Sequence, residues 1–313
     1  MQGNVKMKKK NVILLLLCLG LVLTGCANET GEKRDDTKLQ IVCSDFPAYD
    51  FAREIAGDRA QVTLLLKPGA EVHSYEPSPK DIIAIEESDL FIYNGGESEE
   101  WVESLIGKDV RSVRMMDCVE TVNESSEGIY AAEEGGEDEL DEHVWTSPIN
   151  ASRICRAICD ELCAIDPDGT NEYILNFEVY NAKLMELDIE IRTTVLNGVR
   201  KTLVFADRFP MRYFTREYGL EYYAAYPGCA SQTEPSAKTV AFLIDHVREE
   251  SIPVVLYMEF SNEKMADVIC EDTGCKKLPF YSAHSVTAQQ FEDGVTYLDL
   301  MHMNIDTLKE ALY

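Results

Sequence analysis

Residues 171–199 contain no proline, and the apolar positions Leu175, Tyr180, Leu184, Leu187, Ile191 and Val195 keep helical spacing through them. A helix of that length reaches roughly 40 Å, more than a small domain needs. Whatever folds on either side must accommodate a rod, and the two sides read alike. Before it, strand candidates at 39–43, 61–66 and 89–93 alternate with helix candidates at 49–56 and 77–87, and another helix opens near Asn150. After it, strands at 201–205, 222–226 and 254–259 alternate with helices at 211–218, 235–249 and 263–272, and a last helix covers 301–312. Such alternation implies parallel sheets with helical crossovers. The expected fold is α/β, with two parallel-sheet lobes joined by one long rigid helix: an N-terminal lobe at 39–170, a linking helix at 171–199 and a C-terminal lobe at 200–313.

The first residues carry an address. Lys6, Lys8, Lys9 and Lys10 precede an apolar run at 12–23, and Leu23-Thr24-Gly25-Cys26 follows. A basic start, a short apolar run and a small residue before the cut describe a secretory signal rather than a spanning helix. The ending looks like a bacterial lipobox. Residues 1–25 therefore read as a lipoprotein signal peptide, Cys26 as the lipidated first residue of the mature chain, and 26–38 as a polar tether. The expected location is extracytoplasmic, lipid-anchored to the bacterial cell membrane.

Charge narrows the partner. With 29 Lys+Arg against 56 Asp+Glu the formal net charge is −27, and removing 1–25, which hold four lysines and no acid, leaves −31. No basic surplus exists to replace phosphate counterions, so nucleic acid is excluded and a cation is favoured. Nine of the nineteen residues at 124–142 are acidic and none is basic, which predicts a mobile loop. Cys155, Cys159 and Cys163 recur every four residues on one helix face and read as small buried hydrophobes rather than a metal cluster. Cys270 and Cys275 flank a turn, and their pairing stays open.

Five histidines are present: His73, His143, His246, His284 and His302. His246 and His302 sit in helical segments and read as packing or surface residues. The other three lie in irregular segments just past strand candidates or the acidic loop. In open α/β sheets, ligands gather at the carboxyl ends of the strands. Neutral imidazole is the common nitrogen ligand of borderline divalent metals, and two or three converging imidazoles suit zinc.

Several runs together resemble a family. They are Phe46-Pro47-Ala48-Tyr49-Asp50-Phe51, Pro68-Gly69-Ala70-Glu71-Val72-His73-Ser74-Tyr75-Glu76-Pro77, Asn94-Gly95 with Trp101-Val102, Asp141-Glu142-His143-Val144-Trp145, Tyr213-Phe214, Glu234-Pro235-Ser236 and Thr296-Tyr297-Leu298-Asp299. In this order, over essentially the whole mature chain, they resemble the zinc/manganese ABC-transporter substrate-binding lipoproteins. The resemblance implies a metal-receptor type of periplasmic-binding-protein fold, one divalent metal at the lobe interface, delivery to an ABC-transporter permease, and no enzymatic activity. A monomer is expected.

His73 and His143 match the two N-terminal ligand motifs of that family. The third family ligand is a histidine five residues before Tyr-Phe, and here that position is Arg208, which stays protonated and has no lone pair for a metal. The fourth, an Asp or Glu late in the C-terminal lobe, falls near His284. A compensating exchange follows, with one imidazole lost at 208 and one gained at 284, so the expected ligands are His73, His143 and His284. Water, Asp207, Glu259 or Cys229 would complete the shell, Glu259 pairing with Arg208 if it is not a ligand. Glu71 and Glu76 are candidates to orient the imidazoles. Nitrogen-rich donors favour Zn2+ over Mn2+. The alternatives are a metal-chelate receptor with Arg208 gripping the chelator, a surface adhesin, and a zinc hydrolase. No His-Glu-x-x-His, Gly-x-Ser-x-Gly or Gly-rich phosphate loop supports the last.

Overall fold

The computed structural model describes residues 35, 37–70, 75–124, 140–228 and 236–313. Two four-stranded, wholly parallel sheets carry the architecture. The first runs β2 (Ala60–Leu64), β1 (Leu39–Cys43), β3 (Leu90–Tyr93), β4 (Ser112–Arg114), and the second β6 (Glu221–Pro227), β5 (Thr202–Phe209), β7 (Val254–Met258), β8 (Lys276–Phe280). Each sheet reverses its winding beside its first strand, between β1 and β3 and between β5 and β7, and such switch points open crevices for ligands.

Both faces of each sheet are covered, which is why the strands read as apolar runs rather than alternating ones. Ile41 and Cys43 of β1 face one core while Val42 faces another. Leu203 and Phe205 of β5 likewise face inward while Val204 and Ala206 face a separate outer cluster. The inner core is continuous across the molecule. Ile41, Trp145, Leu184, Phe205, Phe280 and Leu308 all belong to it, so the two halves share one apolar interior.

The linking helix, Thr170–Asn197, is 28 residues long, about 42 Å at 1.5 Å per residue. Its buried face is Tyr173, Phe177, Tyr180, Leu184, Leu187, Ile191 and Val195. Leu175, expected on that face, is instead 60% exposed. It stands five residues before Tyr180, which turns it well away from the stripe, and Tyr173 and Phe177 take its place at spacings of four and three. The helix stops at Gly198, whose N–H bonds Thr194 O and Val195 O.

Caps set where helices begin. Ser78 and Asp81 form a reciprocal capping box ahead of Pro79–Glu86, and Ser147 caps Pro148–Ile165. Asp45 caps Phe46–Ala56, its side chain accepting from Ala48 N. Sequence reading missed the short strand β4 and the helices Glu100–Leu105 and Ala288–Glu292, each too short to show a period. Cys155 and Cys159 are fully buried on Pro148–Ile165, as packing residues. The Sγ atoms of Cys270 and Cys275 lie 3.2 Å apart as free thiols.

Leu184 is 0% exposed at the centre of the shared core. Leu184→Ala should cost about 2–5 kcal/mol, whereas Leu175→Ala should stay within about 0.5 kcal/mol. Chemical denaturation of the two variants checks this, and equal losses would contradict the continuous core.

Candidate metal centre

The site grows from two short loops, one from each half. His143 leads into a single turn at Val144–Thr146, and His284 lies four residues beyond the end of β8. Both are buried, at 1% and 6% exposure. Trp145 joins them: its indole Nε1–H donates to Ser282 O at 2.8 Å, and its ring lies 4.5 Å from the His284 ring and 5.6 Å from that of His143. The imidazole centroids are 5.4 Å apart, with planes crossing at 85°. A zinc ion about 2.1 Å from an imidazole nitrogen lies about 3.2 Å from the ring centroid, so two rings at a tetrahedral angle have centroids about 5.2 Å apart. The observed spacing fits two ligands of one ion.

His143 is held in a set tautomer. Its backbone N–H and its Nδ1 both face Asp141 Oδ1, at 2.9 and 3.2 Å. With Nδ1 donating to that carboxylate, Nε2 keeps its lone pair. Burial pushes the imidazole pKa down, but the hydrogen bond and charge of Asp141 outweigh it, and the net shift is upward. Asp141 is itself fixed from the other half, because Tyr213 Oη–H donates to its carbonyl at 2.7 Å and accepts from Val122 N at 3.2 Å.

The two imidazoles open on a cavity of about 50 Å³, lined also by Ala70, Arg208, Glu259 and Ser282. Ala70 is three residues before His73, and Gly69 N–H donates to Val286 O at 2.7 Å, tying that chain segment to the loop that carries His284. His73 and Glu71 lie outside the described residues, as do Cys229 and the lipidation candidate Cys26. Among the described residues no group of three or more His, Cys, Asp and Glu side chains is arranged to hold a metal. His246 packs against Tyr223 at 3.8 Å, and exposed His302 bonds Leu298 O.

The remaining candidates separate. Glu259 lines the cavity, yet its carboxylate accepts the Ser282 N–H at 2.8 Å and the Ser282 hydroxyl, so it holds the His284 loop. Burial raises its pKa, partly offset by those donors. Asp207 bridges an irregularity in β5, accepting Arg208 N at 2.8 Å and Met258 N at 3.2 Å. Arg208 reaches the cavity wall as a cation with no lone pair to give. Glu76 is exposed.

The acidic segment is not uniformly a solvated loop. Glu124, Asp141 and Glu142 are buried at its ends, and an antiparallel bridge between Asn123 and Leu140 closes its neck. Glu142 accepts from Ser98 N at 3.2 Å and Ser98 Oγ at 2.9 Å. A Cβ on Gly96 would meet its carboxylate at 2.5 Å, and φ there is +104°, so glycine is required. Sequence reasoning gave Asp141, Trp145 and Asp45 no role. Asp141 and Trp145 stood inside the His143 motif, and Asp45 followed a strand immediately before a Phe-Pro helix start.

The chain is also similar to known proteins. The family model of "Zinc-uptake complex component A periplasmic" matches residues 41–311. The "High-affinity zinc uptake system protein ZnuA" of Bacillus subtilis is 30% identical over 315 residues, covering 97% of this chain and 98% of that protein. The "Zinc-binding lipoprotein AdcA" of Streptococcus pneumoniae is 32% identical over 97% of this chain, which spans 61% of that longer protein. A "Manganese-binding lipoprotein MntA" of Halalkalibacterium halodurans is 29% identical over 98% of this chain and 99% of its own length. The crystal structure of the Zn(II)-bound ZnuA-like domain of Streptococcus pneumoniae AdcA superposes with a TM-score of 0.74 at 29% identity, covering 88% of this chain and 99% of that one. The chain belongs to this family, whose members are transport binding proteins and not enzymes.

Burial pushes the Glu99 carboxyl up to about 7 against the Gly95 N–H, whose hydrogen bond it accepts at 2.6 Å. The unfolded chain releases this proton near its ordinary value of 4.5, so the folded state loses stability as pH rises from there to about 7. Glu99→Gln should therefore raise the thermal midpoint at pH 8 and leave it nearly unchanged at pH 4. Equal shifts at the two pH values would contradict the buried-acid account.

Proposed function

We propose that this member of the zinc-uptake family is an extracytoplasmic lipoprotein that takes one zinc ion between its two halves and hands it to an ABC-transporter permease. His73, His143 and His284 are the ligands, and lipidated Cys26 holds the chain at the membrane. What carries the reading is the convergence of two buried imidazoles from opposite halves on one small cavity, at a spacing that one tetrahedral ion spans. Nitrogen donors favour zinc; manganese is harder and asks for more oxygen.

Size weighs against a chelate. Pockets for organic ligands run to about 300 Å³ or more, and this cavity is about 50 Å³. Arg208 thus borders an ion site rather than gripping a chelator carboxylate. It takes the family position of a histidine, and His284 supplies the missing imidazole from the neighbouring loop. The acids of the 124–142 segment add negative potential that raises the local cation concentration without forming the coordinating shell.

Zinc titration of the chelator-stripped chain, by competition with a chromophoric chelator, tests this. About one tight zinc per chain is expected, and His73→Ala, His143→Ala and His284→Ala should each weaken binding by two orders of magnitude or more. If His284→Ala binds as tightly as the parent, the exchange between positions 208 and 284 is wrong.

A further inference from the structure

Asp45 stands at the carboxyl end of β1, beside the switch point of the first sheet, and is 1% exposed. Its Oδ1 has a structural task, accepting Ala48 N–H at 3.0 Å to cap the helix Phe46–Ala56. Its Oδ2 takes no hydrogen bond and lies 3.8 Å from Nε2 of His284, across the junction between the halves. Asparagine or serine would cap the helix equally well without a buried charge. An unsatisfied carboxylate oxygen in such a place costs several kcal/mol unless a donor reaches it. The cap alone does not account for an acid.

We propose that Asp45 is a positioning residue for the metal site: its Oδ2 takes the Nε2–H of His284 and leaves Nδ1 of that ring to the ion. This rests on the metal reading of His284 given above. The arrangement mirrors His143, where Asp141 takes Nδ1–H and leaves Nε2. The Trp145 ring at 4.5 Å, tilted by 52°, and the His284 N–H bonded to Ser282 Oγ at 3.2 Å limit the movement of the His284 ring, so it needs only a small shift to meet the carboxylate. A metal-bound imidazole has a more polarised N–H, and the 3.8 Å gap shortens to hydrogen-bond length on loading. Asp45 also lies among acids. The charges of Glu99 and Glu142 act on its carboxyl. Loading then joins the N-terminal half to the ligand loop of the C-terminal half through one carboxylate–imidazole bond.

The test uses zinc alone as probe on the parent, Asp45→Asn and Asp45→Ser, both of which keep the helix cap. Metal-free thermal midpoints should stay at or above that of the parent, because an unpaired buried acid is removed and the cap is kept, while zinc Kd rises about 10- to 100-fold in both variants. In 15N NMR of the zinc-loaded parent, His284 should be coordinated through Nδ1, with a downfield, slowly exchanging Nε2–H that moves upfield in the variants while His143 is unchanged. Coordination of His284 through Nε2, or unchanged zinc Kd in both variants, overturns the proposal. A parent that takes up no zinc overturns the metal reading itself, a result distinct from either.

Discussion

The indole N–H of Trp145 bonded to the carbonyl of Ser282 at 2.8 Å is the contact on which the site depends. Two residues back along the chain is His143, and two residues on from Ser282 is His284. One buried hydrogen bond therefore fixes the separation of the two histidine loops. Its surroundings reinforce it: Tyr297 Oη donates to Trp145 O at 2.8 Å, and Tyr297 N donates to Asp50 Oδ2 at 2.9 Å. Each bond joins an element of one half to an element of the other.

This stitching sits on a continuous core, which decides how such a receptor can move. The linking helix buries its stripe against both halves, and the same apolar cluster contains strands of both sheets. A hinge that separated the halves would have to expose much of that interior. A small cavity ringed by such contacts discriminates through fixed donor geometry, as suits an ion with a preferred coordination shell. Of the acids at 124–142, Asp141 holds the His143 ring and Glu142 braces the same loop against Ser98.

Much of this was legible in the sequence, for identifiable reasons. The alternation of elements and the proline-free rod depend on local patterns, and both appear with boundaries shifted by a few residues at most in the long elements. His143 and His284 were legible because few histidines follow strand ends or the acidic loop. Leu175 was misplaced because a loose helical spacing does not distinguish faces more than a turn apart. Asp45 escaped notice because a cap residue before Phe-Pro has a sufficient local explanation, and only the fold brings His284 to its second oxygen. The partners of Glu259 and Asp207, Ser282 N and Met258 N, are distant in sequence, and only the fold brings them together.

Zinc K-edge X-ray absorption of the loaded chain tests the central claim most directly. The account predicts three imidazole nitrogens at about 2.0–2.1 Å, visible through ring multiple scattering, with at most one further donor. A shell of oxygen or sulfur with no more than one imidazole would contradict a nitrogen-based site shared between the two halves.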